Sequence, residues 1–170
     1  MKTTAIVVLA ISLAGCVTDL RSRRIPNVLT FGSALAALLF HAITGGLTGA
    51  GTSAAGWLVG AAILFLPFYL GGMGAGDVKL MAALGAWLGP SLTLWLGLYT
   101  GIAGGVLAVV VSSSTGYLRQ AISNIWLLMA HWRVSGVRPL DEVTLAGAAG
   151  PRLAYGVAIC AGTVLTIWLR

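Results

Sequence analysis

Charge is what this chain lacks. Of its 170 residues, 8% are charged, against about 25% in an ordinary soluble domain. No acidic or basic side chain occurs between Arg24 and Asp77, a run of 52 residues, or between Lys79 and Arg119, a run of 39. A water-soluble globule needs polar side chains to cover its surface, so this composition, with a mean hydropathy of +0.97, calls for a bilayer instead. At about 20 apolar residues per spanning helix, some six helices and their connections consume the whole chain. No soluble catalytic domain fits beside them.

Other scarcities narrow the chemistry. The two cysteines, Cys16 and Cys160, lie in apolar stretches far apart, without zinc-ligand spacing, and no disulfide framework follows. His41 and His131 are isolated as well. The reading therefore expects neither a metal nor a cofactor. A net charge of +6 invites nucleic acid, yet only Arg21, Arg23 and Arg24 cluster among ten basic residues, and in a hydrophobic chain such a cluster serves as a topology signal. Nucleic acid is not an expected partner; the lipid bilayer is.

The amino-terminal segment has two readings. Lys2, the apolar run and Leu13-Ala14-Gly15-Cys16 resemble a lipoprotein signal whose cysteine is lipidated after cleavage. Several further apolar segments and a triple-arginine patch follow directly, which favours an uncleaved first span over residues 3–18, ended by Asp19. Pro26-Asn27 signals a helix start, with a second span over residues 28–43, an uncharged turn at 45–51 and a third span over 53–70. A glycine-rich stretch, 71–76, precedes a fourth helix starting near Asp77. Gly89-Pro90 then divides residues 78–111 into a short helix plus a full span, or into two spans with a kink; both give two crossings. Residues 117–132 space Leu118, Ile122, Ile125, Trp126, Met129 and Trp132 at three and four positions, the pattern of an amphipathic helix on a membrane surface. After a polar segment with Arg138, Asp141 and Glu142, residues 153–169 form the last span.

The expected architecture is thus an all-α, polytopic membrane bundle of about six helices forming one domain over residues 1–170. Placing the arginine patch in the cytoplasm puts Lys79, Arg119, Arg133, Arg138 and Arg152 there too, so eight of ten basic residues are inside and both termini are extracytoplasmic.

Outside the polar loop the only acids are Asp19 and Asp77, each at the edge of a spanning segment and on the same side of the membrane in this topology. A carboxylate there is costly without water or a partner, which makes function the default reading. Two carboxylates in close approach share a proton and titrate as a pair. One then acts as general base on a water while its protonated partner hydrogen-bonds a scissile carbonyl, the chemistry of aspartic proteolysis. Gly74 and Gly76 leave room for a substrate backbone, and Lys79 with the helix amino terminus favours charge on Asp77. The plainer reading of Gly74-Ala75-Gly76-Asp77 is a flexible turn with a capping aspartate. A nucleotide-binding glycine loop would need a preceding strand that this chain does not supply.

At these residues the sequence resembles the type IV prepilin peptidases, membrane aspartic proteases of the GxGD type. The resemblance rests on Asp19-Leu20-Arg21-Ser22-Arg23-Arg24-Ile25-Pro26-Asn27 and Gly74-Ala75-Gly76-Asp77-Val78-Lys79-Leu80. Tyr155-Gly156-Val157-Ala158-Ile159 is a third, weaker likeness, with Ala154 where family members of this size often have proline. The resemblance implies a catalytic pair at Asp19 and Asp77, with Gly74, Gly76 and Lys79 in an active-site loop. It implies removal of the short basic leader of a prepilin or pseudopilin at the cytoplasmic face of the inner membrane, usually after a glycine. Larger members carry an amino-terminal cysteine-cluster domain and N-methylate the product. Here only the first span precedes Asp19, so the expectation is a peptidase without methyltransferase activity, like the small tight-adherence (Flp-type) enzymes; archaeal preflagellin peptidases are a close second.

A small proton- or cation-coupled transporter is the main competing class, since paired intramembrane acids also carry ions. It gives no reason for Ile25-Pro26-Asn27 after one acid or the glycines before the other, and no inverted repeat is evident. A non-catalytic scaffold of a pilus machine is a third. The uncleaved first span has a direct check: intact-mass measurement on the membrane-extracted protein should return the full chain with an unmodified Cys16, whereas a truncated, lipid-bearing species would restore the signal-peptide reading.

Overall fold

The computed structural model describes residues 2–136 and 153–170; the expected polar segment with Arg138, Asp141, Glu142 and Arg152 lies outside them. The described residues form five helices and no strand: α1 (Lys2–Ser22), α2 (Asn27–Tyr69), α3 (Ala75–Ser114), α4 (Leu118–Ser135) and α5 (Tyr155–Leu169). Three of them, α1, α2 and α3, are long and apolar enough to cross a membrane, and α5 is a shorter apolar helix.

The expected turns prove to be single glycines. Gly46 (φ 60, ψ −148) interrupts α2, and Gly89 (φ 73, ψ 170) interrupts α3. Both conformations are open to glycine and strained for residues with a β-carbon. The chain folds back at each. A β-carbon on Gly49 would collide with the His41 carbonyl oxygen, and the Thr93 hydroxyl reaches back to the Gly85 carbonyl at 3.5 Å. In a straight helix, residues eight apart would stand about 12 Å from one another. The uncharged turn expected over residues 45–51 is therefore one residue wide, because helical hydrogen bonding resumes directly after Gly46. Pro90 follows Gly89 and has no N–H; Thr93 Oγ1 also donates to the Gly89 carbonyl at 2.6 Å, serving an oxygen at the break.

Glycine also sets how closely the arms pack. The backbones of Gly56 and Gly85 touch, and Gly60 lies on the backbone of Met81 and Ala82, so the second arm of α2 runs antiparallel to the first arm of α3. The first arm of α2 follows α3 in the same direction: Lys79 Nζ donates to Asn27 Oδ1 at 3.1 Å, and Trp87 Nε1 donates to Ser33 Oγ at 3.2 Å. Helix α5 packs on α1 and α3. Gly162 lies against Thr100 of α3 and the Tyr155 ring lies against Gly104 of α3, while Ser12 and Cys160 meet across α1 and α5. Small residues permit such close approach where lipid supplies no hydrophobic drive between helices.

Leu80, Met81, Leu84, Leu96, Ile159 and Val8 are fully buried at the centre. The outward surface is apolar as well, with Val28, Ile43, Leu47 and Trp168 almost wholly exposed, as suits a molecule whose solvent is hydrocarbon. Helix α4 is amphipathic and turns Ile122, Ile125, Trp126 and Met129 outward.

Several boundaries move from their expected places. α1 runs past residue 18 to Ser22, so Asp19 lies inside its last turn and not at its end. Its carbonyl accepts the Arg23 amide at 2.9 Å, and the helix stops only where Arg23 takes φ 53. α3 begins at Ala75, two residues before Asp77, because the extended Gly74 is its amino-terminal cap position. The final helix begins at Tyr155.

The glycine contacts yield a stability prediction. Gly56→Ala puts a β-carbon on the Gly85 carbonyl and should cost about 1–3 kcal/mol. Gly51→Ala, with open space around it, should leave the unfolding midpoint unchanged or raised. Titration of the detergent-solubilised protein with sodium dodecyl sulfate measures both.

Candidate active site

Three helices build the site from distant parts of the chain. Asp19 comes from the last turn of α1, Asp77 from the first turn of α3, and the start of α5 lies near both. Asp19 is 9% exposed and Asp77 8%. The two carboxyl groups lie within range of each other's charge, and Tyr155 lies within range of Asp77. Asp19 Oδ2 accepts the Gly156 backbone amide at 3.0 Å, and the Asp77 amide donates to the Gly74 carbonyl at 3.2 Å.

Local sequence explains each placement. The turn after α1 packs buried Ile25 against Gly76, whose absent side chain leaves room for it at 3.3 Å or more from an ideal β-carbon. Pro26, at φ −62, then starts α2, and its carbonyl accepts the Leu29 amide at 3.1 Å. The Ile25-Pro26 segment thus joins the turn carrying Asp19 to the loop carrying Asp77. Gly74, extended at φ −81 and ψ 149, places the Asp77 carboxyl beside itself; an ideal β-carbon there would stand 3.4 Å from Oδ2. Arg21 lies in the last turn of α1 and Arg23 and Arg24 follow the helix directly, near Asp19 in sequence.

The structure brings together Asp19, Asp77, Gly74 and Gly76. It does not bring Lys79 onto a carboxylate: the ammonium bonds Asn27 Oδ1 and sits 5.4 Å from the centre of the Phe31 ring. Lys79 ties α3 to the start of α2, since helical geometry carries a residue two places after Asp77 to the far side of the helix. Three things escaped the sequence reading. The Gly156 amide is a backbone donor invisible to motif reasoning, although Tyr155-Gly156 marked its place. Cys16 and Cys160, read as unrelated, come within range of each other because α1 and α5 pack antiparallel. His41, read as isolated, bonds the Trp87 carbonyl oxygen at 3.2 Å. Among the described residues no group of three His, Cys, Asp or Glu side chains is placed to hold a metal ion.

A buried pair of carboxyl groups with one fixed amide donor is suited to proton transfer. An ionised member takes a proton from water, and a protonated member donates to a carbonyl oxygen. Comparison with known families finds that residues 6–109 match the type IV leader peptidase family. No curated protein and no solved structure matches the chain.

The Lys79 contact predicts how that residue behaves. Lys79→Met and Asn27→Ala should each weaken the protein slightly, and their combination should cost less than the sum, with a coupling of about 0.5–1.5 kcal/mol for one hydrogen bond. A double-mutant cycle on the unfolding midpoint tests this. Additive effects would remove the link between α2 and α3.

Proposed function

Because the chain belongs to the type IV leader peptidase family, we propose that it is an aspartic endopeptidase in which Asp19 and Asp77 are the catalytic pair. The observation that carries this reading is that two buried acids, from α1 and α3, lie within each other's electrostatic reach. One carboxylate removes a proton from a water molecule. The oxygen of that water attacks the scissile carbonyl, whose oxygen takes a hydrogen bond from the protonated partner. Collapse of the tetrahedral adduct returns a proton to the leaving amine, so the pair ends in its starting protonation state.

The substrate we propose is a prepilin-like protein of the Flp type. Such a protein has a basic leader in the cytoplasm and an apolar helix in the bilayer, so its scissile bond sits where Asp19 and Asp77 meet. Gly74 and Gly76, at the start of α3, suit a site where an extended substrate backbone must come close. We place the protein in the inner membrane with the site facing the cytoplasm. The fold-backs at Gly46 and Gly89 support six crossings, with α1, both arms of α2, both arms of α3, and α5 as the spans and both termini outside. Arg119 and Arg133 on α4 then fall on the cytoplasmic side, where α4 lies along the membrane surface. By its likeness to the small tight-adherence enzymes, the new amino terminus is left unmethylated.

Co-expression with a prepilin from the same genome tests the reading. Asp19→Asn and Asp77→Asn should each reduce leader removal by at least about 100-fold, with normal amounts of enzyme in the membrane. The wild-type product should carry an unmodified amino terminus by mass spectrometry. Processing that survives either substitution would exclude the paired-acid mechanism.

A further inference from the structure

We infer that Gly156 is a positioning residue for Asp19: its amide pins Oδ2 and leaves Oδ1 as the oxygen that meets water and substrate. This rests on the paired-acid reading above and goes beyond it by assigning the orientation of one acid to the start of α5.

The first amides of any helix have no acceptor within it. At the start of α5, Ala154 supplies no side-chain cap, and its carbonyl takes the Val157 amide at 3.1 Å. The Gly156 amide finds its acceptor 137 positions away in sequence, in Asp19 Oδ2 on α1. Asp19 therefore caps α5 from another helix. The contact is buried, and the exchange is mutual: α5 gains an acceptor and the carboxyl gains a fixed direction.

Space at this position is tight. An ideal β-carbon on residue 156 would stand 3.0 Å from Asp19 Cβ, 3.1 Å from Asp19 Oδ2 and 3.3 Å from Cys16 Cα. The Cys16 backbone belongs to a regular helix, and the start of α5 is held by the Tyr155 ring against Gly104. Rotation of the Asp19 side chain relieves only the Oδ2 contact; Asp19 Cβ and Cys16 Cα move only with α1, so α1 and the start of α5 must part by a few tenths of an ångström, which draws the Gly156 amide off Oδ2. A general base must aim its free oxygen within hydrogen-bond reach of the attacking water, and misplacement by about 1 Å costs on the order of 100-fold in rate.

The test separates positioning from packing. In the full-length enzyme reconstituted in nanodiscs, Gly156→Ala should lower kcat on a prepilin peptide about tenfold with KM within about twofold of wild type. Gly162→Ala, which strikes Thr100 on α3 away from the acids, should lower folded yield and leave kcat per folded molecule intact. Should Gly156→Ala fail to fold, cell-free synthesis with glycolic acid in place of Gly156 removes the N–H without adding an atom and should lower kcat about tenfold. Wild-type kcat in the glycolate enzyme, or equal kcat losses in Gly156→Ala and Gly162→Ala, would overturn the inference. Cleavage retained by Asp19→Asn would instead overturn the paired-acid reading itself.

Discussion

Two carboxyl groups sit inside an apolar helix bundle, and an ionised acid in such surroundings is costly unless donors, water or a partner compensate it. The arrangement around Asp19 and Asp77 follows from that constraint. Asp19 lies in the last helical turn of α1, where its side chain reaches the free amide of Gly156. Asp77 lies in the first turn of α3, where unpaired amides favour negative charge. α2 backs α3 through glycine contacts close enough to bring main chains together. Move any of these helices and one acid loses its compensation.

The same constraint links the two ends of the chain. Residues 6–109, which match the leader peptidase family, contain both acids but not α5. The bond that fixes Asp19 is supplied from beyond that span. A site that depends on three helices brought together from distant sequence positions assembles only when the bundle does, so docking of α5 and orientation of the acid are one event. This also explains the small residues along the contacts: Gly85, Gly104 and Gly162 each face a group that a β-carbon would displace.

Much of this was legible in the sequence, for reasons that can be named. Uncharged runs of membrane length gave the all-α bundle, because hydrocarbon leaves the backbone few other solutions. The two acids stood out because charge is scarce, and the glycines of residues 45–51 and Gly89-Pro90 marked the regions of the breaks because glycine and proline alter backbone freedom locally. Long-range packing was not legible. Nothing in the spacing of Cys16 and Cys160 reveals that α1 and α5 run antiparallel, and nothing about Lys79 reveals that Asn27 and Phe31 draw it away from Asp77. Helix ends shifted by a few residues because hydrogen bonds such as Arg23 N–H to the Asp19 carbonyl extend α1 through a polar stretch that hydropathy reads as its end.

The central claim is that Asp19 and Asp77 face each other at one depth of the membrane. Cross-linking measures this most directly: in a chain with Cys16 and Cys160 replaced by alanine, Asp19→Cys and Asp77→Cys are introduced together and treated in intact membranes with a short bifunctional thiol reagent. An intramolecular bridge between the two positions is the result expected. No bridge, with the two thiols labelled by impermeant reagents from opposite sides of the membrane, would contradict the account.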